Sequence, residues 1–290
     1  MQVLLGVPVI RNYEKYLELP SFVGRQKKAC FIQIKERIWA KMQGWKEKLL
    51  SQAGKEVKIK AMVQSIPTYS MSVFRIPISR LKDIEAMIQK FWWGCSENSR
   101  KIHWVKWETL CSSKLMRGIG FRDLRMFNDT MLGKQVWRLF HVRNSLVFKV
   151  LSTKYFPSSN IFDVELSLRC SFAWKSIMQA RDRVLKGAGW RVGNGVNIQI
   201  WQHRWLPIEG GGRVLSPQWD PSLQVVCDMF LPGSRIWNEE LIDQIFYSWE
   251  AKIIKSIPVS KYVVVDALIW PLSSNGEYTV RSAYKLLVGL

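Results

Sequence analysis

No two aspartates are adjacent anywhere in this 290-residue chain. Two-metal polymerases and nucleases hold their ions about 3.5–4 Å apart with closely placed carboxylates, and an Asp-Asp pair is the common local sign of such a site. Its absence speaks against polymerisation by this chain alone. The aspartates present, among them Asp83, Asp123, Asp129, Asp163 and Asp182, are scattered, and Asp123 between Arg122 and Arg125 is expected in a salt-bridged turn. No apolar run approaches the roughly 20 residues of a membrane-spanning helix, and the opening MQVLLGVPVI lacks the basic flank of a signal peptide. No P-loop, dinucleotide fingerprint or nucleophile elbow occurs, so neither a cofactor nor a small-molecule substrate is expected. The five cysteines, Cys30, Cys95, Cys111, Cys170 and Cys227, are odd in number and far apart. Free thiols in a reducing, intracellular setting explain them most simply. Cys95, His103 and Cys111 are equally spaced, which suggests a zinc site. However, tight C-x2-C pairs are missing and a closed site takes four ligands. Structural cysteines and a loop histidine are the plainer reading, and no metal is expected.

What is abundant is positive charge. Forty-three Lys and Arg stand against 23 Asp and Glu, a net +20, in a chain that is 48% hydrophobic and carries 15 Trp. That composition is globular, and the length suits two domains. The charge is uneven: residues 220–290 carry six bases and eight acids, so residues 1–219 hold +22. The densest stretch is Gly24–Ile66, with eleven Lys and Arg against three Glu. A helical period places Phe31, Ile34, Ile38 and Met42 on one face, with Arg37 and Lys41 on its flank. Ile59, Met62, Val63 and Ile66 repeat the pattern with Lys58 and Lys60 beside them, until Pro67 kinks or stops the helix.

Two basic amphipathic helices in series predict a surface for a polyanion. The many aromatics favour nucleic acid over a membrane. The candidate contacts are Arg25, Lys27, Lys28, Lys35, Arg37, Lys41, Trp45, Lys46, Lys48, Lys55, Lys58 and Lys60, and the plainer alternative is a solvated basic face. Phe91-Trp92-Trp93 with Lys101, Trp104, Lys106 and Trp107 could stack on bases. The i, i+3 spacing of Trp104 and Trp107 suits a buried helix face instead, and a core place is expected for Trp92, Trp104 and Trp107.

The remaining pattern predicts a mainly α N-terminal body with a small α+β C-terminal part. Val3–Ile10 reads as a strand and Tyr13–Val23 as a loop. Helices are expected from Ser79 as N-cap to Gly94, over 128–142, 146–156, 172–185 and 239–256, and from about Ser282. The chain ends inside that last helix, as a truncated product would. Asn-Gly turns at Gly193-Asn194-Gly195 and Asn275-Gly276 predict β-hairpins near 190–201 and 267–280. Pro and Gly mark 207–221 as a linker. The expected parts are therefore 1–23, a helical region 24–187, a hairpin 188–206, the linker and a small α+β part 222–290.

The strings YLELP (16–20), GRQKKACF (24–31), GWKEKLLSQAGKEVKIKAMVQSIPTYSMSVFRIP (44–77), FWWG (91–94), KIHWVKWETLC (101–111), GFRDLRMFN (120–128), KQVWRLF (134–140), KYFP (154–157), WRVGNGVNIQIW (190–201) and WLP (205–207) stand in this order. Together they resemble the plant LINE-type (non-LTR) retrotransposon polyproteins, labelled reverse transcriptase-like or ribonuclease H proteins. The resemblance covers nearly the whole chain. Glu18, Arg117 and His203 depart from the family's usual Gly, Gly and acidic residue, as in a decaying element.

The resemblance implies that the polymerase palm with its Tyr-x-Asp-Asp aspartates lies upstream, its tail reaching into 1–23. The zinc-binding and ribonuclease H segments would lie downstream, the closing NGEYTVRSAYKLL leading into the former. The opening segment would then be the thumb and connection region, which grips a template-primer duplex by its backbone without base readout. RNA, DNA or their hybrid would be the partner, and the nucleus the place. The alternative is a remnant with no activity or only a protein-interaction role.

Overall fold

The computed structural model describes residues 15–16, 19–20, 31–46, 50–94, 102–157, 159–208, 212–260, 262 and 264–289. The strand expected over Val3–Ile10 lies outside them. The chain forms two compact units, Met1–Ala180 and Arg181–Leu290. Unit 1 opens with a two-residue antiparallel pair, β1 (Lys15–Tyr16) and β2 (Leu19–Pro20). Its described remainder is helical: α1 (Ile32–Lys46), α2 (Gln52–Lys58), α3 (Thr68–Met71), α4 (Ile78–Trp93), α5 (Trp107–Cys111), α6 (Leu124–His141), α7 (Leu146–Tyr155) and α8 (Phe172–Met178).

The apolar arc expected on α1 is its buried face: Phe31, Ile34, Ile38 and Met42, joined by Trp45, lie in the core. That face packs on α4, which buries Leu81, Ile84, Ile88, Phe91 and Trp92. Gly94 ends α4 at φ 69°, a left-handed residue that glycine adopts without a Cβ clash. The helix begins earlier than Ser79, with Pro77 at its N-cap.

The second basic helix departs from the expected pattern. After α2, residues Ile59–Val63 form a π-helical turn, with the Gln64 N–H donating to the Ile59 carbonyl at 3.0 Å. The wider turn breaks the 3.6-residue period. Ile59 and Val63 stay buried while Met62 turns outward.

At the centre of unit 1, α6 is buried around most of its circumference, so its polar residues must find partners inside. Asn128 does so completely. Its amide nitrogen donates to the carbonyls of Met71 (2.8 Å) and Phe74 (2.9 Å), and its oxygen accepts from the Ile76 N–H at 2.8 Å. Buried Asp129 pairs with Arg75 at 3.1 Å. Asp123 caps α6, accepting from the Met126 N–H at 2.9 Å. An aromatic cluster closes the unit: Phe74 stacks on Phe172 of α8 at 5.8 Å, and Phe31 meets Phe74 edge-on at 6.0 Å.

Unit 2 contains α9 (Arg181–Gly187), β3 (Gly189–Arg191), α10 (Glu239–Ile245), α11 (Ser248–Ser256), β4 (Ala267–Ile269) and α12 (Val280–Val288). Helix breaks at Gln179–Ala180 and Phe246–Tyr247 divide the long helices expected over 172–185 and 239–256. The core gathers Ile198, Ile200, Val226, Met229, Ile242 and Ile254 around Trp205 and Trp237.

The mainly α body with a small β part is as expected, but the β pairing is not. The strands assigned to separate hairpins pair with each other, with Gly189 opposite Ile269, Trp190 opposite Leu268 and Arg191 opposite Ala267. The cause is Asp266. Its carboxylate accepts the N–H groups of Gly193, Gly195 and Asn197, each at 2.8 Å. The Gly193-Asn194-Gly195 turn therefore wraps around a carboxylate instead of closing a two-residue hairpin. A Cβ on Gly193 would sit 2.5 Å from the Val264 and Val265 carbonyl oxygens, and Gly195 has φ 73°. The Val196–Ile200 stretch turns to Gln224–Val226 instead, joined by Ile200 N–H to Gln224 O and Val226 N–H to Ile198 O.

The linker expected over 207–221 belongs to unit 2. There the fully buried Glu250 carboxylate accepts from the Leu215 N–H (2.6 Å), the Ser216 N–H (3.1 Å) and the Ser216 hydroxyl. Proline and glycine mark irregular backbone, and here it is held by side-chain acceptors rather than left free. Among the described residues, no helix is long and apolar enough to cross a membrane.

Candidate nucleic-acid interface

Unit 1 holds 31 Lys and Arg against 13 acids, while unit 2 holds 12 against 10. The basic excess therefore belongs to unit 1. The structure sorts the twelve candidate residues into distinct environments. Arg25, Lys27, Lys28 and Lys48 lie outside the described residues, as does the Lys46 side chain. On α1, Arg37 and Lys41 are exposed and one turn apart on the same flank of the helix. Lys35 is half-exposed on the other flank, 3.9 Å from Asp83.

Trp45 is 8% exposed and forms part of the α1–α4 core, 6.0 Å from Phe91 ring to ring. It is expected as a candidate nucleic-acid contact, but its ring packs in the core, and a base would have to enter the core to reach its face. Lys58 explains part of that burial: its ammonium lies 4.8 Å above the Trp45 ring, a cation–π contact.

Lys55 and Lys60 are tied to the fold. The Lys55 ammonium donates to the Trp92 carbonyl at 3.4 Å, at the C-terminal end of α4, where the helix dipole favours a cation. Lys60 donates to Glu56 at 2.7 Å and to the Ile119 carbonyl at 2.6 Å, and Lys114 reaches the same Glu56 oxygen at 2.8 Å. Hydrogen bonds from Lys114 and Lys60 hold the Glu56 carboxyl below its ordinary value. Lys60 and Lys114 staple the loop 112–120 to α2, so much of their positive charge is spent inside the unit.

Two exposed tryptophans lie outside the expected set. Trp39 is 52% exposed on α1, one turn from Lys35. Trp104 is 75% exposed, with Lys106 also exposed beside it. The core role expected of Trp104 fails because the residue precedes α5, and i, i+3 spacing buries side chains only on a formed helix. Trp92 and Trp107 are buried as expected, both against Phe121. For Trp39 a signal was present in the sequence: it falls off the apolar arc of its helix.

Of the cysteine–histidine set considered for zinc, Cys95 lies outside the described residues. His103 stacks near Trp93 at 6.1 Å. Burial, followed by the charge of Asp123, pushes the Cys111 thiol far above its usual range, which makes it a poor ligand and an inert thiol. Among the described residues, no group of three or more His, Cys, Asp or Glu could hold a metal ion.

A different titratable group marks the base of α6. Glu85 accepts the Leu124 N–H at 3.3 Å. Burial, with the neighbouring Asp123 charge adding to it, raises its carboxyl to about 7.

No protein-family model matches the chain. It is 33% identical over 279 residues to a protein of Arabidopsis thaliana named a putative ribonuclease H protein, covering 93% of this chain and 44% of that one. The chain thus spans less than half of that relative's length. It is 38% identical over 146 residues to an uncharacterized mitochondrial protein of Arabidopsis thaliana, covering 50% of this chain and 95% of that one. At that identity, over nearly the whole of the mitochondrial protein, the chain belongs to the retroelement-related family that these two proteins represent.

Proposed function

We propose that unit 1 holds the sugar-phosphate backbone of RNA, DNA or their hybrid without sequence preference. In this reading it is the thumb and connection region of a LINE-type reverse transcriptase. The observation that carries the reading is the basic excess of unit 1, with Arg37 and Lys41 exposed one turn apart on α1. Cations at that spacing suit successive phosphates of one strand, and exposed Trp39 and Trp104 offer faces for unpaired bases. The tied lysines Lys55, Lys58 and Lys60 brace the surface and add long-range potential. Arg25, Lys27, Lys28, Lys46 and Lys48 extend the same basic stretch. The chain itself supplies grip and no polymerase chemistry, and the nucleus is where such a grip would work.

Fluorescence anisotropy on two RNA–DNA hybrids of unrelated sequence tests this. Equal affinities, both weakening steeply with salt, support it. A strong preference for one sequence, or binding indifferent to salt, contradicts it. Metal-dependent strand synthesis or cleavage by the purified chain would overturn the non-catalytic part.

One observation favours the second reading, a protein-interaction role. Leu146, Val147 and Val150 are exposed on α7, and Leu115 and Met116 are exposed at the loop before α6. Charge reversal on α1 would leave such an interaction intact.

A further inference from the structure

Unit 2 is almost neutral, yet three of its twelve cations line one cleft of about 740 Å3. Lys186 of α9, Arg204, Arg213 and Trp249 of α11 are among the residues that line it. The volume is that of a small-molecule site. The walls are rigidly built. Leu206 and Gly212 form an antiparallel bridge, with Gly212 N–H to Leu206 O at 3.1 Å and Leu206 N–H to Gly212 O at 3.2 Å. That bridge brings Arg213 close to Arg204. The Arg204 guanidinium also donates to the Lys186 carbonyl. A Cβ on Gly212 would meet the end of the Ile208 side chain at 2.5 Å, so a larger residue there would push Ile208 aside. Glu250, next to Trp249 in the chain, accepts from the N–H groups of Leu215 and Ser216 and so ties that helix to the segment that continues from Arg213.

Among the described residues lining this cleft, three cations stand against one acid. Burial, and then the neighbouring charge of Arg213, lower the Arg204 value, so the two guanidinium groups sense each other. Among the described residues neither Lys186 nor Arg213 has an ion-pair partner. Among the described residues, the acid lining the cleft is Asp182, 3.6 Å from Arg181. Like charges held together beside a half-exposed indole are costly in the empty protein and favourable once an anion arrives. Phosphate answers the cations, and a planar base answers the indole.

We propose that this cleft binds one nucleotide, with its phosphate against Arg213 and Lys186 and its base against Trp249. The nucleotide is either free or an unpaired residue of a strand. The site goes beyond the backbone grip of unit 1 and does not depend on it.

Isothermal titration calorimetry of the full chain tests the proposal with adenosine monophosphate, uridine monophosphate, adenosine, inorganic phosphate and a 5′-phosphorylated tetranucleotide. The expected result is saturable binding of both monophosphates, with adenosine and inorganic phosphate each at least about tenfold weaker. Arg213→Ala weakens monophosphate and inorganic phosphate alike by about tenfold, as expected when one charge-assisted hydrogen bond is removed. Trp249→Ala weakens the monophosphates but not inorganic phosphate, and Trp249→Phe restores most of the loss while guarding against a folding defect. Tighter binding of the tetranucleotide, with the same sensitivity to Arg213→Ala, assigns the site to a strand, and equal binding assigns it to free nucleotide. Absence of saturable monophosphate binding overturns the proposal, as does binding unchanged in Arg213→Ala or inorganic phosphate held as tightly as nucleotide. Reversing Arg37 and Lys41 to Glu leaves this binding unchanged, so the cleft and the unit 1 grip can fail separately.

Discussion

Unit 1 carries nine times the net charge of unit 2, yet net charge alone does not say where an anion would sit. In unit 1 several cations face inward: Lys55 to a helix end, Lys58 to an indole, Lys60 to a carbonyl and a carboxylate. In unit 2 a much smaller set converges on one cleft. Total charge sets the long-range potential, while the local partners of each ammonium or guanidinium decide which ones remain available to a ligand. The same contrast holds for buried anions. Unit 2 organises its irregular segments around Asp266 and Glu250, whereas in unit 1 the buried Asp129 is paired with Arg75 and the neutral amide of Asn128 ties the segments together.

The largest expected effect follows from that last difference. Asp266→Ala strips the acceptor from three N–H groups and should destabilise unit 2 by about 4 kcal/mol. Asp266→Asn, which keeps one oxygen, should cost about half as much. Urea unfolding followed by limited proteolysis should show unit 2 lost first and unit 1 intact; loss of both together would dissolve the distinction. Asn128→Ala is the counterpart in unit 1, expected to cost about 3 kcal/mol by leaving two buried carbonyls and one N–H without partners. Unit 2 fragments should then survive proteolysis longest.

A pH experiment separates two carboxylates of unit 1, Glu85 and Glu56. Glu85 has a folded value of about 7 against an ordinary 4.5, so between those values the folded state holds a proton that the unfolded state has released. Stability should therefore fall as pH rises from 4.5 to 7 and flatten above, by up to about 1 kcal/mol per pH unit. Glu85→Gln should abolish that slope and raise stability at pH 8. Glu56 acts in the opposite sense. Its lowered value adds stability above 4.5 that disappears as the pH falls further. A wild-type melt with no slope between pH 5 and pH 7 would contradict the assignment to Glu85.

The smallest effect is the most discriminating. Lys60→Met should cost about 1 kcal/mol of stability through its bonds to Glu56 and Ile119, while changing hybrid affinity less than twofold. If Lys60→Met weakens binding as much as an α1 reversal does, the lysine reaches ligand and its tie to the loop is secondary.

The helical half was legible because its apolar periods are long. Phe31, Ile34, Ile38 and Met42 marked the buried face of α1, and Leu81, Ile84, Ile88 and Phe91 marked that of α4. What was not legible depended on distant partners. Nothing near Gly193-Asn194-Gly195 announces that a carboxylate 71 residues beyond Gly195 will collect its N–H groups and steer β3 toward β4. The π-helical turn at Ile59–Val63 likewise defeated a 3.6-residue reading and turned Met62 outward. At the candidate interface, composition singled out a basic segment but could not separate lysines bound to carbonyls from those facing solvent. That separation requires knowing that the Ile119 carbonyl comes to rest beside Lys60.

The central claim is that the exposed flank of α1 grips phosphate. The most direct test is the slope of log affinity against log salt for an RNA–DNA hybrid, measured on the full chain and on the Arg37→Glu, Lys41→Glu double variant. The account predicts a strongly negative slope that becomes shallower by about 2 in the double variant, because each replaced cation leaves one phosphate no longer neutralised. An unchanged slope and affinity would place the nucleic acid elsewhere and contradict it.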